Sequence, residues 1–346
     1  MVTVAIDVMG SDLGVSELIK GITALSMEAD NQIQMVLVGD AKEIAKALVG
    51  QVYHPKFIEI VHASQHITQD EKAKEALKTN QDLSIVRACQ LVKEGRADAL
   101  VSAGNTGGVI LSAAQSFDRI AGVQRVALAA VLPTEKRRGQ RQDPFALLLD
   151  VGATLHVTAE DLYRFALMGS IYASIVSKNT SPSVALLSNG TEIGKGPSEV
   201  VEAFQLLSEN TDGLSFIGNV EGLDIPRGGA DVIVCEGFLG NVVLKLLEGI
   251  TELAADLAKE AYDSKLIWRL GLTMLSKELR KLRRLTDWKQ YGGAPILGFD
   301  KVVIKAHGRS NARAIRNAIK LAAKVHRGDL ISKIQQKMEP RCSPTV

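Results

Sequence analysis

Short apolar runs separated by stretches of helical periodicity organise this chain. Successive Val, Ile, Leu and Ala residues predict strands over residues 2–6, 35–38, 57–61, 99–101, 126–132, 145–149, 184–187, 232–234 and 302–304. Several of these runs are continuous rather than alternating, as expected for strands buried on both faces. Between them, apolar positions recur every three or four residues over 83–93, 161–176, 200–208 and 241–262, which predicts helices. The alternation is the βαβ rhythm of an α/β fold, with a mostly parallel sheet covered by helices on both faces. The polar, basic stretch 135–143 (EKRRGQRQD) reads as an exposed connection.

Glycine marks the strand exits. Six segments follow strand runs directly: DVMGSD at 7–12, SAGNTGG at 102–108, DVGA at 150–153, SNGTEIGKG at 188–196, EGFLGN at 236–241 and AHGRS at 306–310. Ligands of open parallel sheets bind outside the carboxyl ends of the strands, so six such loops predict one shared crevice. Gly104, Asn105, Thr106 and Gly107 lie between a strand and a helix. Their small side chains and N–H groups suit a phosphate at a helix N-terminus. The alternative is a glycine turn with Thr106 as N-cap. No G-x-x-x-x-G-K-[ST] loop and no G-x-G-x-x-G fingerprint occurs, which argues against a P-loop nucleotide or a nicotinamide cofactor.

Candidate chemistry follows from the polar residues of these loops. Lys195, between Gly194 and Gly196, is either a solvated lysine or a cation for phosphate or a developing oxyanion. His307 is either a structural group or a catalyst, and Asn241 either an N-cap or an amide donor into the crevice. Asp7, Asp12, Asn189 and Glu236 complete the set. His156 and Asp161 match an acyltransferase H-x-x-x-x-D pattern, but Thr158 with Asp161 three residues later reads better as a helix start. Ser310 sits in a nucleophile-elbow-like GRSNA that lacks the final glycine. No metal-ligand spacing is present, and no cofactor is expected.

Composition narrows the class. With 346 residues, 46% of them hydrophobic and 23% charged, the chain can bury a full core, which excludes disordered and fibrous classes. Cys89, Cys235 and Cys342 form no short spacing, and the N-terminus enters a strand without a signal-peptide pattern, so a cytoplasmic location is expected. The formal net charge of +2 hides a segregation. Residues 1–263 carry 22 basic against 34 acidic side chains, and residues 264–346 carry 19 against 5. A basic final quarter suggests an acidic partner or an anionic surface.

Within that quarter, residues 265–289 carry eight Lys or Arg against two acidic residues, with leucines at helical spacing and both tryptophans, Trp268 and Trp288, at the flanks. Residues 262–290 therefore read as a projecting amphipathic segment, one helix or a pair kinked at Gly271. Trp268, Arg280, Lys281, Arg283 and Arg284 are then placed to meet anionic lipid, a carrier protein or a second subunit. Residues 339–346 read as a disordered tail.

Taken in order, the motifs resemble the bacterial phosphate acyltransferases of the PlsX family. The segments that carry the resemblance are 7–12, 102–107, 149–153, 190–196, 216–222, 236–242, 291–298 (YGGAPILG) and 305–308 (KAHG). The resemblance covers residues 2 to about 335. Ser11, Glu236 and Arg309 depart from the usual pattern. The resemblance implies a three-layer αβα sandwich, similar to phosphotransacetylases and isocitrate- or isopropylmalate-dehydrogenase-like folds, in a single catalytic domain and usually a homodimer. It implies transfer of a fatty acyl group from acyl carrier protein to inorganic phosphate, without a metal and without nucleic acid. In that chemistry Asn105 and Thr106 hold phosphate, Lys195 and Asn241 stabilise charge, and His307 assists the leaving thiolate. A short-chain acyl-coenzyme A enzyme and a non-catalytic carrier-protein adaptor at the membrane are the alternatives.

Overall fold

The computed structural model describes residues 1–80, 82–138, 143–209, 213–275 and 292–338. Eleven strands join in one sheet: β1 (Val2–Asp7), β2 (Ile33–Gly39), β3 (Ile58–His62), β4 (Ala99–Ser102), β5 (Ala127–Arg138), β6 (Asp143–Leu149), β7 (Ser183–Leu187), β8 (Ser215–Val220), β9 (Val232–Val234), β10 (Ala294–Leu297) and β11 (Val302–Lys305). Their spatial order is β3-β2-β1-β4-β11-β10-β5-β6-β9-β7-β8. The twelve described helices are α1 (Gly14–Ser26), α2 (Ala41–Leu48), α3 (Ala73–Thr79), α4 (Ser84–Lys93), α5 (Thr106–Ser116), α6 (Ala159–Ser177), α7 (Ser198–Glu209), α8 (Asp224–Arg227), α9 (Gly237–Ser264), α10 (Leu266–Met274), α11 (Ala312–Arg327) and α12 (Leu330–Met338).

Both faces of the sheet are covered, for the reason the continuous apolar runs suggest. On β1, Val4 and Ile6 join a core with α1, α6 and α11, while Ala5 joins a separate core with α4 and α5. Successive side chains of a strand point to opposite faces, so a strand flanked by two helical layers must be apolar at every position. Two strands lie outside the predicted set. β8 is an edge strand with Ile217 exposed, and β10 carries Pro295, which cannot donate to a ladder.

The sheet is less parallel than the rhythm suggests. β10 runs antiparallel to β11 and β5, and β5 runs antiparallel to β6. The parallel blocks β3-β2-β1-β4-β11 and β6-β9-β7-β8 therefore run in opposite directions. The predicted connection 135–143 is largely a hairpin arm instead: β5 continues to Arg138, which pairs with Asp143 at the start of β6. Glu135, Lys136 and Arg137 are exposed there, which explains the polar composition.

Helix α9 begins four residues earlier than its periodicity predicts. The reason is glycine: Gly237 and Gly240 let its first turn press against the loop after β6. The Gly237 N–H donates to the Thr154 carbonyl at 2.9 Å, and a Cβ at residue 240 would lie 1.8 Å from the Asp150 carbonyl oxygen. Beyond its second turn α9 leaves the body, and residues 249–260 are all exposed. The chain bends at Lys265, whose backbone is extended, and α10 runs through Gly271 without a break. The break between the two helices is thus six residues before the predicted kink. Arg280, Lys281, Arg283, Arg284, Trp288 and the tail 339–346 lie outside the described residues.

Two glycines of α9 separate packing from propensity. Gly240→Ala should destabilise the protein by about 1–3 kcal/mol through overpacking against Asp150. Gly249→Ala, with nothing near its Cβ, should be neutral or stabilising by about 0.5–1 kcal/mol. Denaturant midpoints of the two variants check this, and equal midpoints would refute the packing account.

Candidate functional site

Opposed blocks of strands leave a cavity of about 600 Å³ between the sheet's central exits and the first turns of α9. Five of the six glycine loops reach it, through Asp12, Thr106 and Gly107, Val151 and Gly152, Phe238 and Asn241, and Ala306 to Gly308. The sixth loop, 188–196, opens on a second cavity of about 460 Å³, to which Ser188, Asn189, Gly196, Glu236 and His156 contribute. Helix α9 separates the two: Leu239 and Val243 face the second cavity, Phe238, Asn241 and Leu244 the first. The single crevice expected from the six loops is therefore divided.

The main cavity is chemically two-sided. At one end are the N-terminus of α5, Asp12, Lys305 and His307. The cavity is also lined by the apolar residues Leu128, Val131, Val151, Leu155, Phe238 and Leu244. Lys245 and Glu248 of α9 lie on the same cavity. Thr106 and Gly107 are the first residues of α5, where unpaired N–H groups and the helix dipole favour an anion.

Asn105 has a different task. It is the N-cap of α5, its Oδ1 accepting from the Gly108 N–H at 3.0 Å. Its Nδ2 donates to the carbonyls of Thr68, Gln69 and Glu71 at 3.2, 3.0 and 3.2 Å. The amide is taken up in locking the 68–71 loop to the helix, so it is not turned to a ligand in the main cavity. Gln69 extends the lock, its Nε2 donating to Gly10 O at 2.8 Å and Ala103 O at 3.3 Å. Thr106 is the first helical residue, not the cap.

Asn241 is likewise no N-cap. It stands in the second turn of α9, beside Gly152, on the cavity wall. Lys195 is exposed and lines neither cavity. Its stem lies against Gly190, and the Ser188 hydroxyl donates to its carbonyl at 2.9 Å. Asn189 and Glu236 belong to the second cavity. Asp7 is buried behind the main one, and burial raises its carboxyl above the usual carboxylate range against the lowering effect of the Ser102 and Ser84 hydroxyls.

His307 lines the main cavity. Its Nδ1 accepts from the Arg309 N–H at 3.1 Å, so the neutral ring carries its proton on Nε2. Burial holds its pKa below the ordinary histidine value, with nearby Lys305, Lys245 and Arg309 adding to the effect and Glu248 opposing it. Asp161 caps α6 in a reciprocal box with Thr158 at 3.0 and 3.2 Å, which settles the H-x-x-x-x-D pattern as a helix start. Ser310 is buried, its hydroxyl has no hydrogen-bond partner among the described residues, and it lines neither cavity, so it is not placed as a nucleophile. The free thiols Cys89 and Cys235 are buried, and burial raises the Cys89 pKa to about 12.

Lys305 is the site residue that periodicity and loop reading pass over. The signal was a lysine ending an apolar, fully buried strand (VVIK), a place where an unpaired charge is costly. Among the described residues no group of His, Cys, Asp and Glu could hold a metal ion, and no helix is long and apolar enough to cross a membrane.

The fold is similar to that of phosphotransacetylases. It is similar to a phosphotransacetylase from Streptococcus pyogenes (TM-score 0.62, 17% identity, 94% of each chain). A branched-chain phosphotransacylase from Enterococcus faecalis is also similar (TM-score 0.56, 16% identity, 94% of this chain and 99% of that one). Relatives in sequence narrow the class. Residues 2–333 match the profile of the fatty acid synthesis protein family. The chain is 42% identical over 332 residues to a phosphate acyltransferase from Dictyoglomus turgidum, covering 96% of both chains. It is 41% identical over 347 residues to one from Moorella thermoacetica, covering 98% of both. The chain belongs to this phosphate acyltransferase (PlsX) family, and it is an enzyme that transfers an acyl group to phosphate.

A ring held neutral by burial should titrate below about 6.5, the ordinary histidine midpoint. NMR titration of the His307 ring protons, assigned with His307→Gln, should show this. A midpoint above 6.5 would contradict the described environment.

Proposed function

We propose that the acyl donor is a long-chain fatty acyl thioester on acyl carrier protein, that the acceptor is inorganic phosphate, and that the main cavity is where they meet. The observation that carries this reading is one cavity of about 600 Å³ lined both by the α5 N-terminus, which suits an anion, and by Leu128, Val131, Val151, Leu155, Phe238 and Leu244, which suit an alkyl chain.

Phosphate is already a nucleophile, so no covalent acyl-enzyme is needed. A phosphate oxygen bonds to the thioester carbonyl carbon, the carbonyl π-electrons move onto its oxygen, and a tetrahedral oxyanion forms. That intermediate collapses by breaking the C–S bond, and the thiolate leaves with the electron pair and takes a proton. The N–H groups at Thr106 and Gly107 hold phosphate, and the Asn241 amide donates to the oxyanion. His307, neutral with its proton on Nε2, is suited to donate a hydrogen bond to the departing thiolate, whose proton comes from the hydrogen phosphate that attacks.

The remaining surface supports two further assignments. Leu246, Ile250, Leu253 and Leu257 form an exposed stripe at three- and four-residue steps along α9, a seam that a second copy would cover in a homodimer. On α10, Leu266, Ile267, Trp268, Leu270 and Met274 are all exposed, and the basic residues that follow in sequence suit peripheral contact with anionic membrane on the cytoplasmic side. Carrier proteins are acidic, so the basic final quarter also steers their approach.

Purified protein with palmitoyl-carrier protein should release carrier thiol only when phosphate is present, and much faster than it consumes acetyl-coenzyme A. Preference for acetyl-coenzyme A would move the enzyme to the short-chain class, and thiol-free binding would make it an adaptor. Carrier-protein affinity should fall as ionic strength rises from 0.05 to about 0.5 M. A flat dependence would remove the electrostatic docking.

A further inference from the structure

The most deeply placed charge on the main cavity is Lys305, only 6% exposed at the end of β11. Sheet register sets it level with Ser102 of β4, and Ser102 level with Asp7 of β1. Level residues of neighbouring parallel strands share a face of the sheet. Ammonium, hydroxyl and carboxylate therefore form a row across the exits of three adjacent strands. The Ser102 hydroxyl donates to Asp7 Oδ2 at 2.7 Å, and the Met9 N–H donates to Oδ1 at 3.2 Å. The Gly104 N–H donates to Ser102 Oγ at 3.1 Å, which ties the row to the loop opening α5.

The ammonium is under-satisfied. It carries three protons, and among the described residues it has one hydrogen-bond acceptor, the carbonyl of Ala306. A buried cation with donors to spare on a cavity wall calls for an anion. Asp7 does not supply that partner directly. It lies behind the cavity and does not line it, so its charge supports the cation without facing a phosphate dianion.

We propose that Lys305 is the cation that receives the attacking phosphate, and that Asp7 is a positioning residue that keeps Lys305 charged and aimed through Ser102. The proposal rests on the reading of this cavity as the site of acyl transfer. Phosphate then sits between the Lys305 ammonium and the N–H groups of Thr106 and Gly107, with its free oxygen toward the apolar wall. Burial draws the Lys305 pKa down to about 8, and the negative charges of Asp7 and Asp12 oppose that fall. The other titratable groups around the row are His307, Lys245 and Glu248 on the cavity, and His66 and the buried thiol of Cys89 near Asp7. Removing the Asp7 charge takes away a term that raises the lysine, so Lys305 loses its proton at lower pH. Ser102 donates to the Asp7 carboxylate and favours its charged form, so its removal acts in the same direction.

The test uses the full chain and inorganic phosphate, with binding read by isothermal titration and activity by carrier-thiol release. Lys305→Met should weaken phosphate binding about 10- to 100-fold while leaving the KM for acyl-carrier protein within about threefold. Asp7→Asn and Ser102→Ala should both move the alkaline limb of kcat/KM for phosphate to lower pH. Phosphate's own ionisation is common to all the proteins compared. A merely structural role would lower the active fraction without moving the limb. Should Lys305→Met fail to fold, judged by thermal unfolding, the limb in Asp7→Asn and Ser102→Ala decides. Wild-type phosphate affinity in Lys305→Met, or an unmoved limb in both other variants, overturns the proposal. Loss of phosphate binding in Lys305→Met with no thiol release by the wild type would sink the acyl-transfer reading and leave the anion site standing.

Discussion

Four backbone N–H groups converge on one buried carboxylate, and half of the main cavity is built on that convergence. Asp150, at the exit of β6, accepts at Oδ1 from Leu128, Gly152 and Ala153 at 2.9, 3.0 and 3.0 Å, and at Oδ2 from Thr154 at 2.6 Å. A carboxylate with no exposure is costly unless hydrogen-bonded, and burial still raises its pKa despite those four donors. The bonds fold residues 150–154 into a tight platform and fasten it to β5. Gly237 and Gly240 then bring α9 onto that platform. Without it, Val151, Leu155, Phe238, Asn241 and Leu244 would have no common surface to line.

The other half of the cavity is organised by the opposite block of strands. There Asp7, Ser102 and Lys305 stand level across β1, β4 and β11, and α5 begins where β4 ends. The first block presents Lys305, His307 and a helix N-terminus. Strand β5, the loop after β6 and α9 present Leu128, Val131, Val151, Leu155, Phe238 and Leu244, with Asn241, Lys245 and Glu248. An enzyme that joins phosphate to an acyl group needs both within one enclosure, and the reversal at β10 and β5 brings them there.

The outward reach of α9 follows from the same placement. Its first turns are held by glycine contacts and divide two cavities, while its later turns have nothing of this chain to pack on. A single helix thus runs from the wall of the main cavity to the exposed apolar surface that begins at Leu246. The separation of charge along the chain maps onto this: most of the basic excess follows the point where α9 leaves the body.

Much of this was legible from residue patterns. Short apolar runs identified nine of the eleven strands, and several runs are continuous because a strand buried on both faces must be apolar throughout. Thr158 and Asp161 announced the start of α6, because a capping box is a local device. Asn105 and Asn241 were legible as residues of the site but not in their roles. Whether an amide caps a helix, clamps a distant loop or faces a cavity depends on partners far away in the chain, as with Asn105 and the carbonyls of Thr68, Gln69 and Glu71, 34 to 37 residues before it. Lys195, placed between glycines, carried the same local signal as a phosphate-binding lysine, yet α9 puts its loop on another cavity. Lys305 showed the reverse: an unremarkable strand-end residue becomes the central cation once register sets it beside Ser102 and Asp7. The sequence by itself determined the α/β class, the family and the loops that carry chemistry, since these depend on periodicity and short motifs. Only the tertiary structure decided strand direction, the division of the crevice and which lysine meets the anion, since these depend on contacts between residues far apart in the chain.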